Sequence, residues 1–324
     1  MPQLTYLEAI ADALRTEMRR DERVFLLGED IATYGGAFKL TKNFHEEFGR
    51  KRVLDCPISE SAIVGAAIGA ALNGMRPVAE MQFMDFVTCG FNQIVNVAAT
   101  TAYRWGIGVP MVVRGPSGGG VGANPFHSRN SEAWFAHASG VKVVCPAFPA
   151  DAKGLMTASI RDNNPVVFYE HKGLYRKIKE EVPEGEYIIP LGKAKVVREG
   201  KNATIVAYGS AVHFALAAAE ELSKEGVSVE VVDIRTLVPF DQETVLASAR
   251  KTNRVLIAHE ASLTAGFGGE IAARIAEHAF EYLDAPIMRV AAYDAPTPFA
   301  PTLEKAVLPN SEKVLAAMRK LLSY

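Results

Sequence analysis

Short runs of apolar and β-branched residues alternate with helix-length stretches along most of this chain, and that rhythm excludes most architectures. Runs at 24–27, 77–81, 111–113, 141–144 and 166–169 have strand character, and helical stretches such as 91–103 and 151–161 lie between them. Strands separated by helices pair through crossovers, which gives a mostly parallel sheet covered by helices. Ahead of them, Thr5 to Glu8 reads T-x-x-E, a capping box, and Leu7, Ile10, Ala11 and Leu14 follow at helical spacing. The chain therefore opens on an amphipathic helix.

The segment 171–191 breaks the rhythm. It is charged, contains Pro183, Gly185 and Pro190, and has neither helical nor strand period, so it reads as a linker. Beyond it the alternation restarts, with "ATIVAYGS", "VSVEVVDI" and "RVLIAHE" as strands and 213–225 and 268–280 as helices. At 324 residues the chain is too long for one typical domain, and it divides into α/β domains over 1–185 and 186–324.

Charge and cysteine usage narrow the function. A formal net charge of -2, with no long run of like charge, argues against nucleic-acid or membrane-surface binding, since both need a concentrated basic patch. Cys56, Cys89 and Cys145 form no CxxC pair, so neither a disulfide framework nor structural zinc is expected. With no signal-peptide pattern in "MPQLTYLEAI" and no apolar run of membrane-spanning length, the expected location is the cytoplasm.

Two stretches carry chemistry. In "DCPISESAIVGAAIGAALNG" the carboxylate Glu60 stands at the head of a helix otherwise built of small and aliphatic residues. Ser59 can cap that helix, and a first-turn acid suits the macrodipole. Glycine inside a helix costs about 1 kcal/mol against alanine, so Gly65 and Gly69 among alanines predict close packing against another helix or subunit. Glu60 is then an acid at a buried helix start, suited to holding a nitrogen heterocycle. The second stretch, "RGPSGGGVGANPFHSRNSEAWFAH", is a glycine-rich loop at the carboxyl end of a strand, where open α/β sheets place ligands. As a phosphate signal it is weak, because it matches neither a P-loop nor a dinucleotide fingerprint. His127 within it is suited to proton exchange near neutral pH, and His137 reads as structural. "AGFGGEIAARIAEH" reads as packing glycines opening a helix.

Together "FLLGEDIATYGGAFKLT", "DCPISESAIVGAAIGAALNGMRPVAEMQF", "FNQIVN", "HSRNSEAWFAHASGVKVVCP", "DAKGLMTASIRDNNPVVF" and "EVVDIRTLVPFD" resemble the β subunit of the thiamine-diphosphate-dependent E1 component of 2-oxo acid dehydrogenase complexes. The resemblance covers nearly the whole chain. It implies a transketolase-like fold, with an aminopyrimidine-binding α/β domain followed by a smaller transketolase carboxyl-terminal domain. It implies that Glu60 hydrogen-bonds N1′ of the aminopyrimidine, and that Glu29, Ile58, Ser59, Gln82 and Phe86 line the cofactor or adjoining substrate cavity. His127 would serve transfer of the acyl unit to a lipoyl group. Carbonyls near Met111, Ile160, Asp162 and Asn164 match those that hold a structural K+ in the family.

The sequence has no GDG motif with a downstream asparagine, which thiamine enzymes use to hold Mg2+ and the diphosphate. The resemblance therefore implies an α2β2 heterotetramer whose E1 α subunit holds Mg2+. The dihydrolipoyl acyltransferase E2, through its lipoyl and subunit-binding domains, is the second expected partner. "MQFMDF", "FNQIVN" and "SEAWFAHASGVKVV" favour branched-chain substrates such as 2-oxoisovalerate, while "EVPEGEY" is equally similar to pyruvate dehydrogenase β subunits. Rival readings are half of a split transketolase, a non-catalytic scaffold subunit, which would lack Glu60 or His127, and a nucleotide-binding oxidoreductase, which would need a proper fingerprint.

Overall fold

The computed structural model describes residues 1–324. They form two compact units, one of residues 1–117 and 134–191, the other of residues 118–133 and 192–324.

In the first unit the alternation becomes a parallel sheet. Its strands lie in the order Lys142–Val144, Val166–His171, Val112–Ser117, Arg76–Glu80, Val24–Gly28 and Val53–Asp55. These strands are nearly all apolar and buried because helices cover the sheet. The opening helix, Tyr6–Arg20, has the capping box, with Thr5 and Glu8 bonded reciprocally. Its Ile10, Leu14 and Met18 pack in one core with Leu155, Met156 and Ile160 of the Pro149–Arg161 helix. Each such side chain contributes about 1.5–3 kcal/mol by leaving water. Arg161 ties the two helices together with two bonds to the buried Glu17, at 2.9 and 2.6 Å.

Three details depart from the sequence reading. The 171–191 segment is more than a linker: Lys179–Glu181 pairs antiparallel with Gln3–Thr5, a strand too short and charged to show a period. The helix expected at 91–103 is wound as a π-helix over Gln93–Ala98 before it continues as Ala99–Trp105. The glycine-and-alanine helix, Glu60–Leu72, is buried on one face only, through Ile63, Val64, Ala67, Ile68 and Ala71. Ala62, Ala66 and Gly69 are exposed, and a Cβ added at Gly65 or Gly69 meets nothing within 4 Å.

The second unit carries a five-stranded sheet in the order Met288–Ala292, Val255–Ser262, Ala203–Ala207, Val229–Asp233 and Lys195–Arg198, with only the last strand antiparallel. The glycines before and within the Phe267–Ala279 helix serve packing, as expected: a Cβ at Gly268 would stand 2.5 Å from Cδ2 of His259. That imidazole is fully buried and stacks on Tyr208 with centroids 5.7 Å apart. Burial first, and the charge of Arg289 second, pull its pKa down to about 4, so it is neutral at neutral pH.

Candidate active site

Strand order locates the ligand-binding edge of the first sheet. Val24–Gly28 is followed in the chain by Val53–Asp55 on one side and then by Arg76–Glu80 on the other. Such a reversal opens a crevice at the carboxyl ends of the strands. The two central strands approach closely there, because a Cβ on Gly28 would stand 2.9 Å from the Glu80 carbonyl oxygen. Glu29 and Asp30 leave one strand, Gln82 follows the other, and Glu60 starts the helix after the third.

Glu29 is 6% exposed and Glu60 9%. The Ser59 amide donates to the Glu29 carboxylate, while the other carboxyl oxygen, Oε1, is buried with no partner. Burial is the largest influence on Glu29 and the charge of Glu60 the next, with Asp30 adding to them; all three raise its pKa. Burial beside other acids makes Glu29 hold its proton more readily than a free carboxyl does. Ser59 occupies the N-cap position, but its hydroxyl makes no capping bond. Its backbone serves Glu29 instead. Ile58, beside it, is 83% exposed.

The segment after Glu80 is held from beneath by residues that no motif announces. Arg114, fully enclosed, donates to Glu80 and to both oxygens of Glu170, with Nη2 to Glu170 Oε2 at 2.6 Å. The Tyr175 hydroxyl donates to the same Glu170 oxygen at 2.6 Å. Burial disfavours the guanidinium charge, but Glu170 and Glu80 outweigh it and hold the Arg114 pKa well above its usual value. Burial raises that of Glu80 despite the opposing Arg114. The Arg114 carbonyl also receives the Met81 amide at 2.8 Å. This ties down the path to Gln82, which donates to Asp30 at 3.3 Å, and to Phe86, edge-on to Phe83 with centroids 6.2 Å apart. The cluster escapes sequence reading because its acids lie 34 and 56 residues from Arg114. The only signal is charges set in largely apolar strands.

His127 belongs to the second unit, on the glycine-rich loop, whereas Glu29, Ile58, Ser59, Glu60, Gln82 and Phe86 all belong to the first. The loop is no free phosphate cradle. Its amides are taken by the chain's own acids: Gly119 donates to Glu260 at 2.6 Å, and Gly120 and Gly122 donate to Glu304 at 2.9 and 3.1 Å. The turn expected to hold K+ has a fixed cation of its own. Arg76 Nη1 donates to the carbonyls of Ile160 and Asp162, both at 2.9 Å, and Nη2 to Asn163 Oδ1 at 2.7 Å.

A parallel sheet with an acid pair at its switch point, followed by a second, smaller α/β unit, defines a transketolase-like protein. The family model described as the transketolase pyrimidine binding domain matches residues 2–177, and the transketolase C-terminal domain matches 192–314. Over the full length of both chains the sequence is 50% identical to the 2-oxoisovalerate dehydrogenase subunit beta of Bacillus subtilis (strain 168) and 46% identical to the pyruvate dehydrogenase E1 component subunit beta of the same organism. It is 43% identical to the Rhizobium meliloti (strain 1021) pyruvate dehydrogenase E1 component subunit beta, over 98% of this chain and 70% of that one. A solved split gene transketolase, an inactive beta4 tetramer, superposes with a TM-score of 0.83 at 25% identity, covering 99% of each chain. The chain belongs to the family of E1 β subunits of thiamine-dependent 2-oxo acid dehydrogenases.

Proposed function

We propose that this chain supplies the proton-handling half of a thiamine-diphosphate site in a branched-chain 2-oxo acid dehydrogenase, working as α2β2 with an E1 α subunit. The paired acids Glu29 and Glu60, one with a buried oxygen left without a donor, carry the reading. They fit an aminopyrimidine, whose ring nitrogen accepts a proton from a carboxyl and whose exocyclic N–H donates to a carboxylate. When bound, the cofactor supplies a carbon nucleophile and an electron sink for decarboxylation. Glu60 holds the proton at N1′. Glu29 keeps a second acid nearby, Ile58 and Ser59 flank the ring, and Gln82 and Phe86 border the substrate cavity.

Residues 1–185 form the aminopyrimidine half in this reading, and 186–324 the carboxyl-terminal half. His127 serves the second stage, in which the acyl carbon bonds to one sulfur of a lipoyl disulfide of E2. The S–S bond breaks, its electron pair stays on the departing sulfur, and His127 delivers a proton there. Mg2+ and the diphosphate fall to the α subunit. A structural K+ would share the Ile160 and Asp162 carbonyls with Arg76, and no step depends on it. No helix is long and apolar enough to cross a membrane, consistent with work in the cytoplasm.

The higher identity to the 2-oxoisovalerate enzyme, 50% against 46%, supports the branched-chain substrate. In the reconstituted tetramer kcat/KM for 2-oxoisovalerate should exceed that for pyruvate by about tenfold or more, the discrimination one or two methyl groups allow. A preference for pyruvate would transfer the assignment to pyruvate dehydrogenase.

A further inference from the structure

The loop that carries His127 is anchored by acids the reaction itself does not use. Glu304 is 5% exposed and Glu260 7%. Glu304 spans the loop's first turn, with Oε1 on the Gly120 amide and Oε2 on the Gly122 amide. Both glycines have left-handed backbone, with φ of 79° and 70°, which turns alternate amides to one side and forms a nest for an anion. Glu260 grips both ends of the loop. Its Oε1 accepts from the Gly119 amide at 2.6 Å and from Asn130 Nδ2 at 2.9 Å. Its Oε2 accepts from the Ser210 hydroxyl at 2.8 Å. The loop closes on itself where Gly118 donates to the Arg129 carbonyl at 3.3 Å. His127 sits between these anchors, on a turn where the Phe126 amide bonds Asn124 Oδ1 at 2.9 Å. Gly119 is packed so tightly that a Cβ would stand 2.6 Å from Leu308 Cδ1 and 3.3 Å from Glu304 Oε1.

We infer that Glu304, backed by Glu260, is a positioning residue for His127, holding the loop in the shape that acyl transfer to the lipoyl group requires. The inference rests on the proposed role of His127. Charged acceptors make the stronger hydrogen bonds, and one carboxylate spanning two amides fixes the direction of the turn as well as its place. Decarboxylation, assigned to Glu60 and the cofactor, does not depend on that loop. Loosening the anchor should therefore separate the two stages.

The test uses the reconstituted tetramer with wild-type chain, Glu304→Gln, Glu304→Ala, Gly119→Ala and, as reference, His127→Asn. Decarboxylation is read with an artificial electron acceptor, and acyl transfer with a lipoylated domain. Glu304→Ala should lower acyl transfer 10- to 100-fold, the usual effect of misplacing a reacting group by about 1 Å, while decarboxylation changes less than about threefold. Glu304→Gln, which keeps one acceptor oxygen, should recover part of the loss. Gly119→Ala presses a methyl on the Leu308 side-chain tip and Glu304 Oε1 without removing a carboxylate, and should give the same split in smaller degree. Variants that lose both stages in parallel, or neither, while the wild type is active and His127→Asn loses acyl transfer, overturn the inference alone. A wild-type tetramer without thiamine-dependent turnover overturns the E1 reading and the inference with it.

Discussion

Glu29 and Glu60 share one negative neighbourhood, and the consequence is measurable in stability. The Glu29 pKa is raised, first by burial and then by Glu60. A carboxyl whose folded pKa exceeds its unfolded value contributes stability below the unfolded pKa and loses it as pH rises through the folded one. Glu29→Gln should therefore unfold at higher denaturant than wild type near neutral pH, and the gap should close towards pH 4. A variant less stable than wild type at neutral pH would mean the structure favours the ionised acid. The place of Glu60 at a buried helix start was legible from one line of sequence, because a lone carboxylate before an aliphatic helix calls for explanation. The Ser59 cap was misread: sequence identifies a residue able to cap, but the extended entry of the chain sends its backbone amide to Glu29.

At the scale of elements, the central strands were legible because apolar runs of that length have few alternatives, although the third runs on to Ser117 and the short edge strands Val53–Asp55, Lys195–Arg198 and Met288–Ala292 went unread. What the strands carry inside them was not legible. Glu80 and Arg114 are direct partners across neighbouring strands, and Glu170 reaches Arg114 from the strand on its other side. Only the strand order, a three-dimensional property, brings them together. Removing the shared cation leaves two buried carboxylates facing each other. Arg114→Met should accordingly lower unfolding free energy by about 3–5 kcal/mol in urea titration. A loss below about 1 kcal/mol would mean that the acids simply take up protons without disturbing the strands. The open face of the Glu60–Leu72 helix, with Gly65 and Gly69 uncovered, could not be seen in sequence either. Small residues mark a close approach without saying whether the neighbour belongs to the same chain.

For the whole molecule, the two-unit layout and the family were readable because motifs recur in order from end to end. The assignment of the His127 loop to the second unit was not, since it interrupts the first in sequence. The loop follows a strand of the first unit, but its amides bond to Glu260 and Glu304, about 140 and 180 residues later. In the proposed function this chain gives a thiamine site its proton partner while another chain holds the diphosphate. The direct measurement is carbon dioxide release from a 2-oxo acid, with thiamine diphosphate and Mg2+, by this chain, by its α partner and by the mixture, each chain also tested as Glu60→Gln where it applies. Turnover should occur only in the mixture and fall by about 100-fold or more with Glu60→Gln, the range expected when a positioned proton partner is lost. Turnover by this chain alone, or a Glu60→Gln mixture as fast as wild type, would contradict it.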